Sequence, residues 1–77
     1  MNVMDVIAKT IEHYSFYRIY GDDDYVLELL VPKDEIVKLK DYYEVPVINF
    51  AVRVDCSSEP HQLLVEMRIK KHKEDNN

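Results

Sequence analysis

The chain has 77 residues, 47% of them hydrophobic and 32% charged, with a net charge of −5. It is too short for a second independent core, too apolar for intrinsic disorder and too charged for a membrane protein. Its single cysteine, Cys56, excludes an internal disulfide and any metal site built from two to four cysteines.

The longest apolar stretch, Leu29-Leu30-Val31-Pro32, is far short of the roughly 18 residues that a membrane span needs. The N-terminus shows no basic start followed by an apolar run, so no secretory signal is read and a cytoplasmic location is expected. One α+β domain is expected over residues 1–70. Residues 71–77 contain no apolar side chain and read as a polar, flexible tail.

Asn2 opens a helical pattern in which Val3, Met4, Ile7, Ile11 and Tyr14 recur on one side and Asp5, Lys9, Glu12 and His13 on the other. An asparagine cap accepts from an amide near Asp5, and that carboxylate suits the positive helix end, which predicts a helix over 3–14. Phe16 to Tyr20 and Tyr25 to Val31 are rich in β-branched and aromatic residues, and Gly21-Asp22-Asp23-Asp24 between them supplies the freedom of a tight reversal. That segment predicts a hairpin.

Pro32 ends the second strand, and Ile36, Val37, Leu39 and Tyr43 then recur at near-helical spacing over 34–43, which predicts a short second helix closed by Pro46. From Val47 to Cys56 the alternation is the clearest in the chain. Ile48, Phe50, Val52, Val54 and Cys56 share one face and are expected inside, with Cys56 a buried structural thiol. After the loop residues Ser57 to Gln62, the residues Leu63, Val65, Met67 and Ile69 face inward and complete a second hairpin. The order αββαββ predicts a two-layer α+β fold, with one main helix across a four-stranded antiparallel sheet and a short second helix. Asp5, Ile7, Lys9 and Tyr14 superpose on Asp34, Ile36, Lys38 and Tyr43. Either duplication or two amphipathic helices at a free offset would give that match.

No catalytic constellation is read, and the chain is expected not to be an enzyme. Ser57, Ser58 and His61 share a loop without a preorganised oxyanion site. His13, His61 and His72 lack the spacing that lets imidazoles share a metal. Asp22-Asp23-Asp24 lacks the alternating oxygens and closing glutamate of a calcium loop. With Gly21 the sole glycine, no phosphate-cradling loop exists, so neither metal nor cofactor is expected.

Recognition is the remaining chemistry. Tyr17, Tyr20 and Tyr25 crowd around Asp22, Asp23 and Asp24, and tyrosines join apolar area to a hydrogen-bonding tip at low entropic cost. Val26, Leu30, Val47, Ala51 and Leu64 fall on the sheet face away from the first helix, with no evident cover. Residues 1–65 hold twelve acids against six bases, whereas Arg68, Lys70, Lys71 and Lys73 make the end slightly basic. An acidic body repels phosphate and attracts a basic protein surface.

These residues indicate a small acidic, non-enzymatic protein-binding module. The indicated partner is a basic surface such as that of a nucleic-acid-binding protein, and a homodimer is the expected state. In size and charge, though in no motif, the chain is similar to the small acidic inhibitors that phages and mobile elements make against host nucleases, anti-CRISPR and anti-restriction proteins among them. The alternative is a nucleic-acid-binding accessory protein using Arg68, Lys70, Lys71 and Lys73.

Overall fold

The structure is a computed structural model that describes residues 1–56 and 62–71. The chain runs α1 (Val3–Thr10), β1 (Phe16–Tyr20), β2 (Val26–Pro32), a 3-10 helix (Lys33–Tyr42), β3 (Val47–Asp55) and β4 (Gln62–Ile69). The fold is α+β, with both hairpins where the sequence places them.

The start of α1 follows from Asn2. Its side chain accepts from the Asp5 amide at 2.9 Å, and the Asp5 carboxylate accepts from the Asn2 amide at 2.8 Å, so two otherwise unpaired amides are satisfied reciprocally. The helix ends at Thr10, four residues earlier than the apolar periodicity suggests. The Thr10 hydroxyl donates back to the Val6 carbonyl at 2.7 Å and lies 2.9 Å from the Tyr17 hydroxyl. His13 and Tyr14 amides both close onto the Thr10 carbonyl, which turns the chain into β1.

The sheet is mixed rather than antiparallel. Its order is β2-β1-β4-β3, and the two central strands β1 and β4 run parallel while each pairs antiparallel with its hairpin mate. The 3-10 helix carries the chain from the β2 edge to the β3 edge, so β3 runs in the direction of β2. That direction fixes β4 parallel to β1. The two αββ halves therefore hold unlike places: the first strand of one is central and the first strand of the other is an edge.

The second helix also departs from expectation, being 10 residues long against 8 for α1 and wound as a 3-10 helix broken at Glu35 (φ −118, ψ 24). Its apolar spacing explains the winding. Ile36, Leu39 and Tyr42 recur every three residues, which is one turn of a 3-10 helix, and all three pack toward the core while Val37 stays exposed. The Tyr43 hydroxyl donates to the Ile36 carbonyl at 2.9 Å and fastens the segment's end.

The core joins Val3, Val6 and Ile7 of α1 to Tyr17 and Ile19 of β1, Val31 of β2, Leu39, and Val65, Met67 and Ile69 of β4. An α-helix of 8 residues covers about 12 Å, whereas a β-strand of 8 residues such as β4 extends about 26 Å. The helix cannot cover the sheet. Phe50, Val52 and Val54 share the helix-side face with their partners Met67, Val65 and Leu63, yet those three and Leu63 are 41–54% exposed. The expectation of an inward series from Ile48 to Cys56 is thus corrected, because β3 is an edge strand beyond the width of α1. Cys56, at its end, is exposed.

β2 is irregular in register. Tyr17 pairs with Val31, Ile19 with Glu28 and Tyr20 with Val26, so β2 carries two extra residues relative to β1. Two bulges break its alternation: Leu27 packs on the core while Leu29 is exposed.

Burial raises the Tyr17 phenol above its usual 10.0, opposed by its bond to Thr10, and burial followed by the Glu28 and Asp41 charges raises Tyr42 in the same direction. A raised phenol favours the neutral form in the folded state, so its contribution is complete below pH about 10 and is lost as pH rises through the folded value. Urea unfolding should show stability level between pH 8 and 9 and falling above 10. Tyr17→Phe should lose about 1 kcal/mol at neutral pH and fall less steeply in alkali. An unaltered alkaline slope would assign the effect to Tyr42.

Candidate functional site

Strand register divides the sheet into two unlike faces. On the face away from α1, Phe16 stands opposite Leu64, Arg18 opposite Glu66 and Tyr20 opposite Arg68, with Arg53, Ala51 and Asn49 on the far side of Leu64, Glu66 and Arg68. All three arginines of the chain therefore lie on this open face. Glu66 sits among them, accepting from Arg18 Nη1 at 3.4 Å and from Arg53 Nε at 3.4 Å. Arg18 Nε also donates to the Leu29 carbonyl at 2.9 Å, which holds the bulged β2 to its neighbour.

Of the residues that sequence places on this face without cover, Val26, Leu30 and Ala51 are exposed. Leu64 is buried, and Val47 pairs with Ile69 on the core side. Exposed apolar side chains are concentrated at the two edges: Tyr25, Val26, Leu29 and Leu30 at β2, and Ile48, Phe50, Val52, Val54 and Leu63 at the β3–β4 hairpin.

The acidic reversal is more constrained than a solvated tip. The Gly21 amide donates to the Tyr25 carbonyl at 2.8 Å, the Asp24 amide to the Gly21 carbonyl at 3.1 Å, and the Tyr25 amide to Asp23 Oδ1 at 3.2 Å. The left-handed residue is Asp24 (φ 64), not Gly21. Glycine is needed at 21 for a different reason: a Cβ there would drive into the backbone carbonyl oxygen of Lys71. The Asp22 amide donates to that same oxygen at 3.0 Å.

The two sequence-predicted sites are consequently one neighbourhood. Asp24 forms an ion pair with Arg68, and the Lys71 ammonium lies 5.9 Å over the Tyr42 ring. Arg68 Nε is buried without a partner among the described residues. Asp22, Asp23 and Tyr25 are exposed and Tyr20 is half-buried. Tyr17 is corrected from contact residue to core, since it is wholly buried with its hydroxyl on Thr10. Lys70 is exposed and Lys71 half-buried. Lys73, Ser57, Ser58, His61 and His72 lie outside the described residues.

Leu29, exposed beside the β2 bulges, and Arg18 and Arg53 are not among the contact residues that the sequence singles out. The signal for the arginines was there: Arg18 follows the inward Tyr17, and Arg53 lies between Val52 and Val54. Among the described residues no group of three or more His, Cys, Asp or Glu side chains is placed to hold a metal ion. No helix among them is long and apolar enough to cross a membrane.

Gly21→Ala should cost about 2–3 kcal/mol in denaturant unfolding, because the displaced group is backbone and cannot turn aside. Asp24→Asn should cost less than about 1 kcal/mol, since asparagine keeps the left-handed conformation and an exposed ion pair contributes little. Equal costs would mean that the latch to Lys71 is unimportant. Cys56 should react with a thiol reagent in the folded protein nearly as fast as in the unfolded chain, and Cys56→Ser should alter stability by less than about 0.5 kcal/mol. Protection of that thiol would place it in an interface. Compared with protein-family models, with curated proteins and with solved structures, the chain matches none.

Proposed function

We propose that the chain is a small acidic, non-enzymatic protein-binding module that docks through the β2 edge and the adjoining acidic reversal. The observation that supports this reading is the run of exposed Tyr25, Val26, Leu29 and Leu30 leading to exposed Asp22 and Asp23. Apolar side chains beside a charged rim are the composition of a docking surface. The two bulges expose Leu29 and interrupt the ladder, so recognition at this edge proceeds by side chains rather than by strand addition. The carboxylates supply steering toward a basic partner. Occupation of a nucleic-acid site on such a partner would make the module an inhibitor of a nucleic-acid-processing protein, with Tyr20 and Asp24 at the margin of the contact.

The arginine face favours a second reading, in which Arg18, Arg53 and Arg68 contact phosphate while Phe16 and Tyr20 offer stacking rings. Two of these arginines share Glu66 and the third holds Asp24, which lowers the face's positive field. The protein reading is therefore preferred.

Affinity capture from the encoding organism, before and after nuclease treatment, separates the two. Under the protein reading, capture survives nuclease, Leu29→Asp with Leu30→Asp abolishes it, and Asp22→Asn with Asp23→Asn slows association and flattens its salt dependence. Capture that disappears with nuclease, or direct binding to a single-stranded oligonucleotide whose salt slope drops by about 1 in Arg53→Ala, overturns it in favour of nucleic acid.

A further inference from the structure

The two edges of the sheet are unlike in a way that bears on assembly. β2 is broken by two bulges, ends in Pro32 and gives its Leu29 carbonyl to Arg18. These are the devices by which monomeric proteins blunt an edge against further pairing. β3 carries none of them beyond Asn49. From Asn49 to Asp55 its register with β4 is uninterrupted, no proline occurs, and its one basic residue is Arg53. Among the described residues no strand lies on its outer side.

The open length of this edge is defined. The N-terminal segment occupies its beginning, where the Met1 carbonyl accepts from the Val47 amide at 2.8 Å and Asn2 bridges Pro46. What remains is 49–55, and Val52 is its midpoint.

We propose that β3 pairs antiparallel with β3 of a second copy about a two-fold axis at Val52, joining two sheets into one of eight strands. In that register Val52 meets Val52 of the second copy, and Phe50 meets Val54 twice. Aromatic and β-branched cross-strand pairs are the favourable kind, and these are the side chains now left 43–54% exposed. On the open face Arg53 falls opposite Ala51 of the second copy. Ala51 is the small residue paired with Glu66, so each guanidinium reaches toward the second copy's carboxylate over a short side chain. A register centred one residue later would set Arg53 directly against Arg53, which like charge disfavours.

A second copy fits this edge because the pairing is self-complementary and closes. Each β3 is consumed by the other, and both outer ends of the joined sheet are the blunted β2, so growth stops at two. The proposal is independent of the partner surface assigned to β2.

Sedimentation of the full chain should give a mass near twice 9.2 kDa in the micromolar range. In a Cys56→Ser background, Val52→Cys should oxidise readily to a covalent dimer, because directly opposed residues in an antiparallel pair have Cα atoms about 4.5 or 5.5 Å apart, within disulfide reach. Leu30→Cys on the exposed β2 edge should cross-link much more slowly. Val52→Lys, placed on an already exposed side chain, should weaken association on the order of tenfold or more with an unchanged circular dichroism spectrum. A monomer through the micromolar range, an undiminished dimer in folded Val52→Lys, or equal cross-linking by the two cysteine variants would each overturn the proposal. Should Val52→Lys fail to fold, the cysteine comparison decides alone.

Discussion

The parallel pairing of β1 with β4 is the constraint from which the remaining arrangement descends. It sets Tyr17 and Ile19 beside Val65 and Met67 beneath α1, and it sends both hairpin mates to the edges. It also brings the ends of β1 and β4 to the same end of the sheet. Gly21 can then approach the Lys71 carbonyl, and Asp24 can reach Arg68. In an antiparallel pairing these groups would lie at opposite ends, and the acidic reversal and the basic terminus would be separate surfaces of opposite sign. Their adjacency removes the simplest form of both charge-based readings and shifts the argument to the apolar edges.

The sequence disclosed what local chemistry determines. The Asn2 cap, the two hairpins and the inward positions Val65, Met67 and Ile69 of β4 follow from side-chain identity and period and stand in the structure, whereas Leu63, expected inward with them, is exposed at the hairpin's end. It did not disclose what depends on distant partners. The direction of β4 relative to β1 is decided by where the 3-10 segment delivers the chain, and that segment's every-third-residue spacing was read as an α-helix because Val37 blurred the pattern. The bulges of β2 have no marker in its composition, and they leave Leu29 exposed while Leu27 packs on the core. Tyr17 was grouped with Tyr20 and Tyr25 as a contact residue, although alternation alone puts it on the opposite side of β1 from Arg18, where the core lies.

Net charge proved a coarse guide for a related reason. Several of the acids are committed locally: Asp5 to the helix cap, Glu35 to Lys38, Asp24 to Arg68 and Glu66 to two arginines. Such pairs change the field near a surface more than a whole-chain sum suggests, since screening confines exposed charges to about 10 Å at 0.1 M salt. A chain of net −5 can thus carry a face on which all three arginines lie, balanced in part by carboxylates placed among them.

The open apolar surface is a consequence of α1 packing on the central strands rather than on the β3 edge. Thr10 turns its hydroxyl back to Val6 and onto Tyr17, and Ile11 to His13 form the turn that follows the helix. The core cluster that α1 joins includes β1, β2 and β4 residues and leaves out Phe50, Val52 and Val54. Covering Phe50, Val52 and Val54 therefore requires material from outside this layer. Their exposure coincides with the unbulged edge, while the bulged edge keeps Leu29 and Leu30 for side-chain contact. Burying apolar area is the main source of stability for a chain this small, and the differing edges are the ground for the two occupants proposed: a second β3 beside β3 and a shaped protein surface against β2.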